Sequence, residues 1–268
     1  MGNGKIGLIV FVLGMSVSVP AYSEMRNSAP SREVNSENLA TWTKKARSGD
    51  TEAQFQLGVA FQFGRGVDKN LKEAMKWYRM AADYGEPAAQ TNLGYLYQKG
   101  GGAAPNAAEA AKWYLRAAVS GFPPAEYNLG ILYLMGRGIQ MSNEQAAHWF
   151  RKSAEAGFVL AIVRLADLYA AGQGVPKNAR KAFELYKRAA KKHNPEAEYD
   201  LAVYYGKGWG VRMNVAKASK WHTMALNSLT KAARRQMTPG GPLQRLDGHG
   251  ADARNQSGSS KGREGGGS

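Results

Sequence analysis

A 36-residue period constrains this chain more than any other feature. Ala53, Ala89, Ala125, Ala161 and Ala197 open successive copies, with no insertion or deletion between them. Leu57, Leu93, Leu129, Leu165 and Leu201 hold one position, and Phe61, Tyr97, Tyr133, Tyr169 and Tyr205 hold another. A Gly-x-Gly pair recurs in every copy, from Gly64 and Gly66 to Gly208 and Gly210. A second apolar set places Ala74, Ala110, Ala146, Ala182 and Ala218 ahead of Trp77, Trp113, Trp149, Leu185 and Trp221. A fixed period of this length marks a unit too small to bury its own apolar face, which must stack on its neighbours.

Within one copy, Ala53, Leu57, Gly58 and Phe61 share one face of a helix. Ala74, Trp77, Tyr78, Ala81 and Ala82 share a face of a second. The glycine pair between them supplies positive φ for the turn. Asn70, Asn106, Ser142, Asn178 and Asn214 stand where N-caps of the second helices belong. Pro87, Pro124 and Pro195 stand where first helices start. Gly58, Gly94 and Gly130, with Ala166 and Ala202 in the last two copies, let paired helices approach closely, and the tryptophans fill the space between successive pairs. The expected fold is all-α: a right-handed α-solenoid superhelix with a concave inner surface. Its helix-turn-helix repeats span 53–88, 89–124, 125–160, 161–196 and 197–232, with a capping half-repeat over 38–52.

The pattern A-x-x-x-L-G-x-x-Y-x-x-G-x-G-V followed by N-x-x-x-A-x-x-W-Y-x-x-A-A-x-x-G resembles the Sel-one-like repeat, a relative of the tetratricopeptide repeat, over Ala53 to about Ala232. Repeat four departs from it at Leu185 and His193, and repeat five at His222 and Leu229. The resemblance implies adaptor or regulatory roles in protein complexes, including envelope and host-contact roles in bacteria. Some exported relatives are described as β-lactam-hydrolysing, which makes an enzyme the rival class. Others carry a disulfide in each repeat; this chain has no cysteine and departs from that subgroup.

Residues 1–21 read as a signal peptide: Lys5, an apolar run from Ile6 to Val19, then small residues at a cleavage site after Ala21, with Ser23 a second option and an uncleaved membrane anchor the alternative. The expected destination is the bacterial periplasm or the exterior, with no stable membrane span after cleavage. Residues 22–37 read as a polar linker. Residues 237–268, rich in Gly, Ser and Pro, read as a disordered tail.

The search for chemistry yields no catalytic group, cofactor site or metal site. His148, His193, His222 and His249 lack metal-ligand spacing. His148 reads as a surface or boundary residue, and His222, in an aromatic slot, as packing. Ser228 and Lys231 match S-x-x-K, but no S-D-N or K-T-G motif accompanies them. The glycine pairs follow helices and recur five times, unlike nucleotide loops.

Recognition remains. Positions 56, 59 and 63 of the first helix and their equivalents vary while the framework does not. The candidate partner-binding residues are Phe63, Asn92, Tyr95, Asn128, Ile131, Met135 and Arg164; the row reads either as unconstrained surface or as a peptide groove, toward which Phe63, Tyr95, Ile131 and Met135 point as exposed apolar side chains. The net charge of +15 concentrates late in the repeats: residues 161–232 hold 13 Lys and Arg against 5 Asp and Glu. There Lys187, Arg188, Lys191 and Lys192 form a basic patch. It reads either as a solvated helix end or as a docking surface for an acidic protein, a cell-wall polymer or lipid headgroups. No recognition motif for nucleic acid accompanies it. The favoured reading is an exported scaffold that binds a protein or peptide through its concave face. The alternatives are a β-lactam-hydrolysing enzyme and an envelope-structural protein binding peptidoglycan or an anionic polysaccharide.

Overall fold

The computed structural model describes residues 34–237, and among them are eleven helices and no strand. Helix α1 (Leu39–Arg47) precedes five helix pairs. These are α2 (Thr51–Phe63) with α3 (Leu71–Asp83), α4 (Pro87–Lys99) with α5 (Ala107–Val119), and α6 (Pro123–Met135) with α7 (Asn143–Glu155). Then come α8 (Val159–Ala171) with α9 (Ala179–Ala190) and α10 (Pro195–Lys207) with α11 (Val215–Met237). The fold is an all-α solenoid of helix-pair repeats. The chain divides after Ala189 into two compact units.

In the first unit each helix packs on the next along the chain, because the sequence caps and turns them at fixed intervals. Asn70 accepts hydrogen bonds from the amides of Lys72 and Glu73, both at 3.1 Å. Asn106 accepts from Glu109, Ser142 from Gln145 and Asn178 from Lys181. Pro87 and Pro123 occupy the first turn of α4 and α6, where a missing N–H costs nothing. The first helices begin two residues ahead of the alanine that opens each copy, at Thr51, Pro87, Pro123, Val159 and Pro195.

The two glycines of each turn do different work. The first closes the helix: Gly64 sits at φ 69° and its N–H bonds back to Ala60 O. The second separates repeats. A Cβ on Gly138 would lie 2.2 Å from the backbone of Ala107, the first residue of α5. Gly102 stands in the same relation to Leu71, and Gly174 to Asn143. Only a residue without a side chain allows that approach.

The deepest aromatic is not the tryptophan but the residue after it. Tyr78, Tyr114 and Phe150 are fully buried, and Tyr186 nearly so. Each of the first three lies across a glycine of its paired helix: Gly58, Gly94 and Gly130. The Tyr78 hydroxyl donates to Gln62 Oε1 at 2.6 Å and the Tyr114 hydroxyl to Gln98 Oε1 at 3.1 Å, so neither ring buries an unpaired polar group. Burial pushes the Tyr114 phenol far above its ordinary pKa. Trp113 and Trp149 are buried as expected, whereas Trp77 is half-buried. Successive repeats are also latched by glutamine. Gln54 Nε2 donates to Ala46 O and Gln90 Nε2 to Ala82 O, both at 3.0 Å.

The expected linker over 22–37 ends sooner than the sequence suggests. Val34 is 4% exposed and packs with Ala46, Ala53, Leu57 and Ala60. Asn35 and Asn38 close a turn through their side chains, so residues 34–37 belong to the fold. The signal segment 1–21 and the tail from 238 lie outside the described residues. Met237 ends α11, one residue into the stretch assigned to the tail.

The second unit holds α10 and α11, packed around Leu201, Ala202, Tyr204, Tyr205 and Ala225. Asn194 caps α10 by accepting from Ala197 N–H, and Pro195 opens it. His193, ahead of this cap, takes the position that glycine holds in earlier repeats. At φ 58° it is the one left-handed non-glycine among the described residues.

Candidate functional site

The first-helix row divides sharply in the structure. Gln56 and Val59 are buried. Val59 packs with Ala89, Leu93 and Leu96 of α4, because consecutive first helices touch directly. Ile131, two repeats on, is 7% exposed, which corrects its assignment to an exposed apolar row. Asn92 is buried too, and Tyr95 and Asn128 are half-buried. Position 59 and its equivalents therefore serve repeat stacking as well as variation. The side chains left at the surface lie one turn later: Phe63, Lys99 and Met135, with Phe63 37% and Met135 44% exposed. Arg65 covers the Phe63 ring at 5.4 Å.

Arg164 belongs to an internal network. It pairs with Asp167 Oδ2 at 2.7 Å, and Asp167 Oδ1 accepts the Tyr186 hydroxyl at 2.7 Å. The Tyr186–Asp167 hydrogen bond ties α9 to α8.

The basic patch is also partly engaged. Arg188 Nη2 donates to Ala154 O at 2.5 Å, and Lys187 lies 3.6 Å from Glu184. Lys191 and Lys192, in the second unit, are exposed. His148 is exposed with its ring edge-on to Trp149. His222 is exposed against Tyr199 rather than packed in a core, because α11 presents that slot to the surface. Ser228 and Lys231 sit on α11, half-buried and exposed. Among the described residues, no group of three His, Asp or Glu is placed to hold a metal ion.

Two features escaped the sequence reading. One is Glu126, 3% exposed at the position of the Gln54 and Gln90 latches. Its Oε2 has no hydrogen-bond partner among the described residues. Burial raises its carboxyl pKa, Lys152 draws it down and Glu155 raises it. The spacing alone, 36 residues beyond Gln90, could have found it. The other is a hollow of about 580 Å³ between α7, α8 and α9, lined by Arg151, Leu165, Tyr169, Leu185 and Arg188 among others. Its volume is that of a ligand-sized pocket.

The Sel1 repeat profile matches residues 51–85, 87–121, 123–158, 159–194 and 195–228. A Sel1 repeat protein from Oxalobacter formigenes is 31% identical, with 77% of this chain and 82% of that one covered and a TM-score of 0.68. A protective antigen of uropathogenic Escherichia coli, c5321, described as displaying an SLR fold, is 27% identical with a TM-score of 0.71. There the match covers 81% of this chain and 46% of the antigen. Among curated proteins none matches the chain.

Proposed function

The chain belongs to the Sel1 repeat family, and from that premise we propose that it is an exported scaffold whose unrepeated surface side chains dock a protein or peptide partner. One observation carries the reading. Framework positions repeat from copy to copy, whereas the exposed end of the first helix changes from Phe63 to Lys99 to Met135 over repeats one to three. Packing does not require a phenylalanine or a methionine at an exposed position. A partner surface supplies the reason, since exposed apolar side chains beside a cation suit a peptide or protein contact. Export rests on the sequence of residues 1–21.

The test is photo-crosslinking in the source cell with a reactive amino acid at Phe63 or Met135. A discrete adduct at these two positions and none at exposed Lys72 supports the reading; the same adducts at all three, or none, refutes it.

A further inference from the structure

The hollow between α7, α8 and α9 stands where the repeat pattern lacks a tryptophan. At the first junction between repeats, Arg79 of α3 lies 4.8 Å and Arg116 of α5 lies 4.5 Å from the Trp113 ring, and Arg79 also donates to the Tyr97 hydroxyl. At the second junction Lys152 of α7 stacks 5.0 Å from the Trp149 ring on its own helix. At the third junction the equivalent residues are Arg151, Tyr169, Leu185 and Arg188. Leucine offers no ring, so the cation at 188 reaches across to Ala154 O instead. The space an indole would fill is left open, with Leu165, Tyr169 and Leu185 forming apolar walls.

The rim is cationic. Arg151, Arg180, Lys181 and Arg188 line the hollow, against the carboxylates Glu155 and Glu184. Arg180 stands near the start of α9 and Arg188 near its end, about 12 Å apart along the helix axis. A ligand that meets both must be of that length, which corresponds to roughly four residues of extended chain.

We propose that this hollow takes a short acidic peptide segment of a partner protein, with a tryptophan or phenylalanine side chain in the place of the missing indole. The partner's ring would stack against Arg151 and Arg188 as Trp113 does against Arg79 and Arg116. Its carboxylates would pair with Arg180 and Lys181 at the rim. A buried aromatic anchor ringed by charge is the arrangement that dominates the energy of many interfaces. The proposal rests on the scaffold reading and places a contact on the second-helix side, away from Phe63 and Met135.

The test uses the full chain and a fluorescein-labelled peptide, Glu-Asp-Trp-Glu-Asp, read by fluorescence anisotropy. The wild type is expected to bind it. Leu185→Trp, which restores the residue of repeats two and three, is expected to weaken binding at least tenfold while melting no lower than the wild type. Arg180→Glu with Lys181→Glu weakens it similarly, and so does alanine for the peptide's tryptophan. If Leu185→Trp does not fold, Leu185→Phe serves the same purpose. Equal binding by wild type and Leu185→Trp overturns the proposal. So does equal binding of the tryptophan and alanine peptides, absence of binding, or free indole-3-acetate competing as strongly as the peptide. Crosslinks at Phe63 that persist after such a failure leave the scaffold reading standing; loss of both removes it.

Discussion

A Cβ built on Gly130 would lie 2.6 Å from Phe150 Cε1, closer than any side chain can be accommodated without displacing the ring. Phe150 is fully buried, so the ring has nowhere to go. Gly130→Val is therefore expected to destabilise the first unit by about 3 kcal/mol, the upper end of overpacking costs. The control is Gly206, a helical glycine whose added Cβ would meet only Ala218 Cβ at 3.7 Å. Gly206→Ala is expected to gain about 0.5–1 kcal/mol from helix propensity. Urea denaturation of both variants checks the contrast. A Gly130→Val variant as stable as the wild type would show that the Phe150 ring does not govern the position.

His193 holds a left-handed backbone at φ 58°, where Gly49, Gly85, Gly121 and Gly157 hold the equivalent positions in earlier copies. A side chain in that conformation costs about 1 kcal/mol or more. His193→Gly is expected to raise stability by up to about 1 kcal/mol, offset in part by the extra freedom of glycine in the unfolded chain. A thermal melt with a lowered midpoint would contradict this. It would show that the imidazole, 3.8 Å from buried Glu198 Oε1, contributes more than the strain removes.

Glu126 should make stability depend on pH. Burial raises its carboxyl in the folded state above the unfolded value, so its contribution is present at low pH and is lost as pH rises through the raised value. Glutamine occupies the same position at 54 and 90 and carries no charge. Glu126→Gln is expected to melt above the wild type at pH 7, with the gap closing toward about pH 4, below the ordinary glutamate value. A gap that stays constant across that range would mean the carboxylate is solvated.

Trp113 is nearly buried and carries two guanidinium groups against its ring. Trp113→Leu reproduces in repeat two what Leu185 does in repeat four. The expected loss is about 2–3 kcal/mol, part from apolar burial and part from the cation stacks. Arg79→Met in the Trp113→Leu background should then cost less than in the wild type, as a double-mutant cycle would reveal.

The solenoid was legible in the sequence because each structural demand left a fixed residue at a fixed interval. Asn106 caps α5, Gly64 ends α2 in the left-handed region, and Gly94 admits the Tyr114 ring. The binding row was legible only in part. Helical periodicity places 59 and 63 on one face, but it does not say that the neighbouring first helix covers Val59, that Ile131 is buried, or that Phe63 and Met135 stay exposed. The second glycine of each turn looked like part of the turn; only the packing of Gly138 on Ala107 shows its role between repeats. The departure at Leu185 was visible in the sequence, but the hollow it opens between three helices was not.

On the proposed function, exposed unrepeated side chains meet the partner and repeated ones build the fold. The most direct measurement compares partner recovery by crosslinking for Phe63→Glu with Met135→Glu against the wild type, with melting temperature read alongside. Both side chains are partly exposed, so the melt should fall only modestly while recovery falls at least tenfold. Recovery at the wild-type level from a fully folded double variant would contradict the claim.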